Sequence, residues 1–104
     1  MEQIIETLSR ELNVRPEHAK AVVDLLDEGN TVPFIARYRK EQHGTMDDQT
    51  IRTLADRLQY LRGLEQRKTE VIAAVTALEK LTPELESAVM SAATMAEVED
   101  LYRP

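Results

Sequence analysis

Cysteine and tryptophan are absent from this 104-residue chain. Without thiols there is no disulfide and no thiolate metal site, and a reducing cytoplasm is compatible but not required. Glycine and proline are scarce, at three and four residues. That leaves little material for the turns of a many-stranded sheet and favours long helices. Aromatics make up 4% of the chain and hydrophobic residues 42%, so the core must be aliphatic. No stretch approaches the ~18 apolar residues of a membrane span. Met1-Glu2-Gln3 opens without the basic and apolar regions of a secretory signal. The length implies one domain, or a piece of a larger one.

Catalytic signatures are missing too. His18 and His43 are the only histidines, and without HExxH spacing or cysteine they argue against a zinc site. Isolated glycines make no phosphate-cradling loop. Ser9, Ser87 and Ser91 lack a nucleophile-elbow context. His18 reads as a solvated residue on a helix flank. Asp47-Asp48 reads as a helix cap followed by first-turn charge, not as a metal pair. The expectation is therefore no enzyme, no metal and no cofactor.

What is present is charge, unevenly placed. The net charge is −6. Residues 1–36 hold three basic and seven acidic side chains, residues 37–68 eight and five, and residues 69–104 two and seven. The acidic total opposes indiscriminate nucleic-acid binding by the chain as a whole.

Apolar spacing predicts an all-α fold of five or six helices. The first carries Ile5, Leu8 and Leu12 on one stripe, and the second, from Pro16, carries Ala19, Val22, Val23 and Leu26. Gly29 and Asn30 stop it, and Thr31 caps a short third helix from Pro33. Phe34, Ile35 and Tyr38 are expected inward there. Residues 14–41 thus form a helix-turn-helix-like corner, followed by a loop over 42–45. A long helix is expected over 47–80, about 33 residues and on the order of 50 Å, capped by Asp47 or Thr45. Its apolar positions look heptad-like at both ends, with a polar waist at Gly63 and Glu65-Gln66-Arg67-Lys68. Gly63 marks either a close helix crossing or a mild bend. Beyond the waist, Val71, Ile72, Val75 and Leu78 form a stripe in need of a cover. Thr82-Pro83 opens another helix, and Thr94-x-x-Glu97 is a capping box for the last.

Arg37-Tyr38-Arg39-Lys40 is the one cluster with two readings. Its cations and Tyr38 suit contact with nucleic-acid phosphates and bases. They equally suit pairing with Asp27, Glu28 or Glu41 at a helix end, and the acidic surroundings favour this structural reading. Arg52, Arg57, Arg62 and Arg67 recur every fifth residue, about 140° apart on a helix. They therefore make no single stripe, and short-range ion pairs or separate faces are expected.

The run Leu25-Leu26-Asp27-Glu28-Gly29-Asn30-Thr31-Val32-Pro33-Phe34-Ile35-Ala36-Arg37-Tyr38-Arg39-Lys40-Glu41 is followed in order by three further segments. These are Leu58-Gln59-Tyr60-Leu61-Arg62-Gly63-Leu64-Glu65-Gln66-Arg67-Lys68, then Leu81-Thr82-Pro83-Glu84-Leu85, then Leu101-Tyr102 near Pro104. Together they resemble the N-terminal region of the bacterial Tex family, RNA-binding transcriptional accessory proteins, over essentially the whole chain. The resemblance implies an all-helical segment of a cytoplasmic, transcription-associated protein related to a eukaryotic elongation factor. In that family the segment precedes an RNase H-like domain, helix-hairpin-helix elements and a C-terminal OB-type barrel that carries most nucleic-acid binding. Arg15 departs from the capping residue expected before Pro16. The chain also ends at Pro104, where the family continues, so residues 1–104 read as an N-terminal fragment or truncated version.

The resulting expectation is a non-catalytic helical scaffold or docking module of a nucleic-acid-binding transcription accessory factor. The alternative is weak, sequence-independent nucleic-acid binding by the basic third helix through Arg37, Tyr38, Arg39 and Lys40. Expected partners are the remaining domains of a parent protein, RNA or DNA through the full-length protein, and the transcription machinery. No membrane is expected.

Overall fold

The computed structural model describes residues 2–103. Among them are seven helices and no strand: α1 (Glu2–Leu12), α2 (Pro16–Asp27), α3 (Val32–Tyr38), α4 (Lys40–His43), α5 (Asp48–Ala77), α6 (Pro83–Ser91) and α7 (Met95–Tyr102). The fold is all-α as expected. The helix beyond the expected number is α4, a single turn that overlaps the expected 42–45 loop and is too short to show a period. Two compact units divide the chain, the first ending at Leu61 and the second beginning at Arg62.

In the first unit α1 packs on α2, and α2, α3 and α4 pack on one another. The core is aliphatic: Ile5 and Leu8 of α1, Val22 and Val23 of α2, Ile35 of α3, and Ile51 and Leu54 of α5 are buried. In the second unit α6 packs on α7, and Val71, Val75, Val89 and Val98 are buried.

Helix ends follow from local chemistry. The Thr31, Thr82 and Thr94 hydroxyls accept the backbone N–H of Phe34, Leu85 and Glu97, respectively. Glu97 reaches back to the Ala93 N–H at 3.2 Å, so the capping box closes on the residue before the cap. Asp47, not Thr45, caps α5, accepting the Thr50 N–H at 2.7 Å. Arg15 offers α2 no side-chain cap.

Three helices stop by the same device. The N–H groups of Val14, Asn30 and Lys80 reach back to the carbonyls of Ser9, Leu25 and Val75. The residue before each has positive φ: Asn13 at 55°, Gly29 at 93° and Glu79 at 59°. Each closure satisfies carbonyls left orphaned by the helix end. Glu79 explains why α5 stops at Ala77 instead of near Lys80, since a glutamate in this conformation carries no sequence signal.

The polar waist is filled. Lys68 is only 8% exposed and stands in the buried row between Leu64 and Val71. Gly63 marks no close crossing, because a side chain there would meet nothing within 4 Å. Val71 and Val75 are covered within the second unit, and Leu78 alone of the four-residue stripe stands largely open, 64% exposed.

Candidate functional site

Two surfaces of these units carry features beyond packing. The first lies where α3 meets α4. Thr31 and Pro33 start α3, and Arg39 ends it by leaving helical geometry at φ −128°, ψ 36°. His43, 2% exposed, has its Nε2 3.3 Å from the Ala36 carbonyl at the end of α3. A carbonyl only accepts, so Nε2 carries the proton in this contact. His43 Nδ1 is buried without a hydrogen-bond partner.

His18 is not simply solvated. Its ring lies so close to Gly44 that a Cβ there would fall 2.6 Å from two ring atoms, and Gly44 itself holds φ +69°. Glycine satisfies both the close approach and the left-handed backbone.

The structure brings Arg37, Tyr38 and Arg39 together through aromatic faces. The Arg39 guanidinium lies 5.0 Å from the Phe34 ring centroid, and Arg37 lies 5.9 Å from that of Tyr38. The two rings are 5.2 Å apart. A cation–ring–ring–cation series thus runs along α3. Tyr38, expected inward, is 55% exposed; Ile35 occupies the core alone, with Phe34 half-buried. Among the described residues, no ion pair joins Arg37, Arg39 or Lys40 to Glu28 or Glu41. Arg37 and Lys40 border a shallow depression of about 360 Å³ with Pro33, Ala36 and Asp48. The Asp48 carboxylate faces Arg52 at 3.5 Å.

The second surface belongs to the second unit. An open cleft of about 670 Å³ has Val75, Leu78, Leu85, Leu101 and Tyr102 as its apolar lining. Lys80, Arg103 and Glu99 also border it. Leu101 and Tyr102 are 37% and 39% exposed. The Arg67 guanidinium grips Glu99 with two hydrogen bonds, at 2.5 and 3.1 Å, and bonds Glu70 at 3.3 Å. It lies 5.4 Å from the Tyr102 ring centroid. Hydrogen bonding from Arg67 holds the Glu99 carboxyl below its ordinary range. On the next residue, Lys68 Nζ donates to the Met90 carbonyl of α6 at 2.9 Å. Adjacent residues of α5 therefore hold α7 and α6 in place around the cleft.

In the first unit, Arg57 donates an equivalent pair of hydrogen bonds to Glu11, both at 2.8 Å, and holds that carboxyl low. Hydrogen bonding by Thr50 lowers Asp47. No group of three or more potential metal ligands occurs among the described residues. No described helix is long and apolar enough to cross a membrane.

Sequence reading located the α3 cations but missed the cleft. Its lining comes from three helix ends, of which the sequence marks one, through Val75 and Leu78 of the stripe in need of a cover.

Comparison with known proteins gives a consistent relationship. Residues 2–76 match the family model described as the Tex-like protein N-terminal domain. The chain is 46% identical to YdcI of Bacillus subtilis (strain 168) over 99 residues, which is 95% of this chain and 14% of that protein. It is 48% identical to YhgF of Escherichia coli (strain K12) over 97 residues, 93% of this chain and 12% of that protein. It is 46% identical to the transcriptional accessory protein Tex of Neisseria gonorrhoeae over 101 residues, 97% of this chain and 13% of that protein. The chain thus spans only 12–14% of the length of these relatives.

Proposed function

The chain belongs to the Tex family through its N-terminal domain, and on that premise we propose that it is a non-catalytic helical docking module of a cytoplasmic, nucleic-acid-binding transcription accessory factor. The observation that carries this reading is the open apolar cleft bordered by Leu78, Leu85, Leu101 and Tyr102. A small unit that leaves leucines and a tyrosine together at an open surface is built to bury them against something else. The ionisable groups that converge support the non-catalytic part. Glu11 and Glu99 are bound by arginines, and Asp47 caps a helix.

Hydrogen–deuterium exchange tests the reading. Residues 75–103 are compared in the 104-residue chain and in a full-length Tex-family polypeptide carrying it. Protection confined to the longer polypeptide is expected; identical exchange in both would remove docking within the parent.

A second reading is favoured by a separate observation, the exposed Tyr38 and the cations Arg37, Arg39 and Lys40, for which no ion pair is seen among the described residues. In it, α3 touches nucleic-acid phosphates without reading sequence. Binding of single-stranded RNA at roughly 150 mM salt is expected to be no tighter than the ~10⁻⁴–10⁻⁶ M typical of non-specific contacts. It should weaken alike on every sequence when Arg37, Arg39 and Lys40 are replaced by Ala. Submicromolar binding lost in that triple variant would instead make α3 the principal functional element. Binding unaffected by the substitutions would exclude it.

A further inference from the structure

We propose that the second unit's cleft receives an amphipathic helix from the remainder of the parent polypeptide, with leucine-type side chains on one face and carboxylates flanking it. The proposal rests on the docking reading above and names the chemistry of the occupant.

The lining dictates the apolar face. Val75 comes from α5 and Leu78 from the turn that follows it, Leu85 from α6, and Leu101 and Tyr102 from the end of α7. An open groove of this kind is filled by a helix presenting apolar side chains at i, i+3, i+4 and i+7. The exposed Leu78, Leu101 and Tyr102 are the surface such a helix would cover.

Charge dictates the flank. Residues 69–104 contain two basic side chains and seven acidic ones. Both basic residues, Lys80 and Arg103, border the cleft, and among the described residues of its lining Glu99 is the one acid. The Glu99 charge is answered by the two-pronged contact with Arg67. Lys80 makes no ion pair among the described residues. Arg103 makes a 3.9 Å contact with Asp100, both side chains being more than 70% exposed, and its charge also acts on Glu99 as a minor influence beside Arg67. An otherwise acidic segment therefore turns a cationic rim toward its apolar groove, and complementarity at such a rim selects partners. The left-handed Glu79 separates Leu78 from Lys80 and ends α5 at the groove. A second copy of this chain is a poorer occupant, since each copy carries a net −6.

The test uses the ¹⁵N-labelled 104-residue chain and two synthetic helical peptides of about five turns, or ~18 residues. They share one leucine face and differ only in Glu or Lys at the flanking positions. The Glu peptide is expected to shift the amides of Leu78, Lys80, Leu101 and Arg103. It should bind about fivefold more tightly than the Lys peptide, in keeping with two exposed ion pairs. This preference runs against the chain's overall charge, which by itself favours the Lys peptide. In the Lys80→Glu/Arg103→Glu variant, with circular dichroism unchanged, the preference should reverse.

Tighter binding of the Lys peptide at the same amides would overturn the acidic occupant and leave docking at the cleft standing. Shifts at none of these amides with either peptide would remove both. Concentration-dependent shifts of the same amides without peptide would identify a second copy as the occupant and overturn the proposal.

Discussion

Lys68 donates from Nζ to the backbone carbonyl of Met90, 2.9 Å away and 22 residues along the chain. The acceptor lies in the last turn of α6, where carbonyls have no helical partner and a cation is favoured by the helix dipole. The lysine stem fills the row between Leu64 and Val71, so one side chain supplies both an aliphatic core element and a helix cap. Lys68→Ala should cost about 1–3 kcal/mol through the lost charge-assisted hydrogen bond to the Met90 carbonyl, with lost packing in addition. Lys68→Met keeps the stem and should be milder. Urea unfolding of the three proteins measures this, and equal midpoints for Ala and Met would mean that packing contributes nothing.

Acid should loosen the chain in a defined window. Arg57 and Arg67 hold the carboxyls of Glu11 and Glu99 below their ordinary value of 4.5. A carboxyl whose folded pKa is depressed stabilises the fold fully above its unfolded value. That contribution is lost as pH falls through the folded value. The urea midpoint should therefore be flat with respect to these pairs above pH 4.5 and decline below it. The Glu11→Gln/Glu99→Gln variant should start lower and decline less steeply. An unchanged slope would place the acid sensitivity elsewhere.

Two glycines should respond oppositely to alanine. At Gly63, within α5, the new methyl meets nothing within 4 Å, so Gly63→Ala should gain about 1 kcal/mol from helix propensity. At Gly44 the methyl would sit 2.6 Å from the His18 ring, on a backbone at φ +69°. Gly44→Ala should lose at least about 1 kcal/mol. Thermal midpoints moving in the same direction would contradict the environment assigned to one of the two.

Glu79 is the most costly of the three left-handed helix ends, because Gly29 is a glycine and Asn13 tolerates the conformation. Glu79→Gly should stabilise the chain by about 0.5–1 kcal/mol, and Asn13→Gly by less. A loss of stability in Glu79→Gly would show that the glutamate side chain contributes more than its backbone strain removes.

Much of this molecule was decided locally, and so could be read from residue order. Helix class follows from apolar spacing, and the α3, α6 and α7 starts follow from Thr31, Thr82 and Thr94. The stop at Gly29 and the basic run from Arg37 to Lys40 are equally local. These features need no neighbour beyond four or five residues away. Long-range pairings lay outside that reach. Glu11 and Arg57 meet across 46 positions, and Arg67 and Glu99 across 32. Nothing in residue order distinguishes those arginines from Arg52, which pairs four residues away. Lys68 looked like an interruption because a lysine's polarity is visible in sequence, whereas the carbonyl that answers it is not. The α3 cations could be found but not interpreted until packing turned Tyr38 outward and left Arg37 and Arg39 on aromatic faces. The cleft was decided by tertiary structure alone. Its leucines come from separate helices, and two scattered cations become a rim only when α5, α6 and α7 close around the same space.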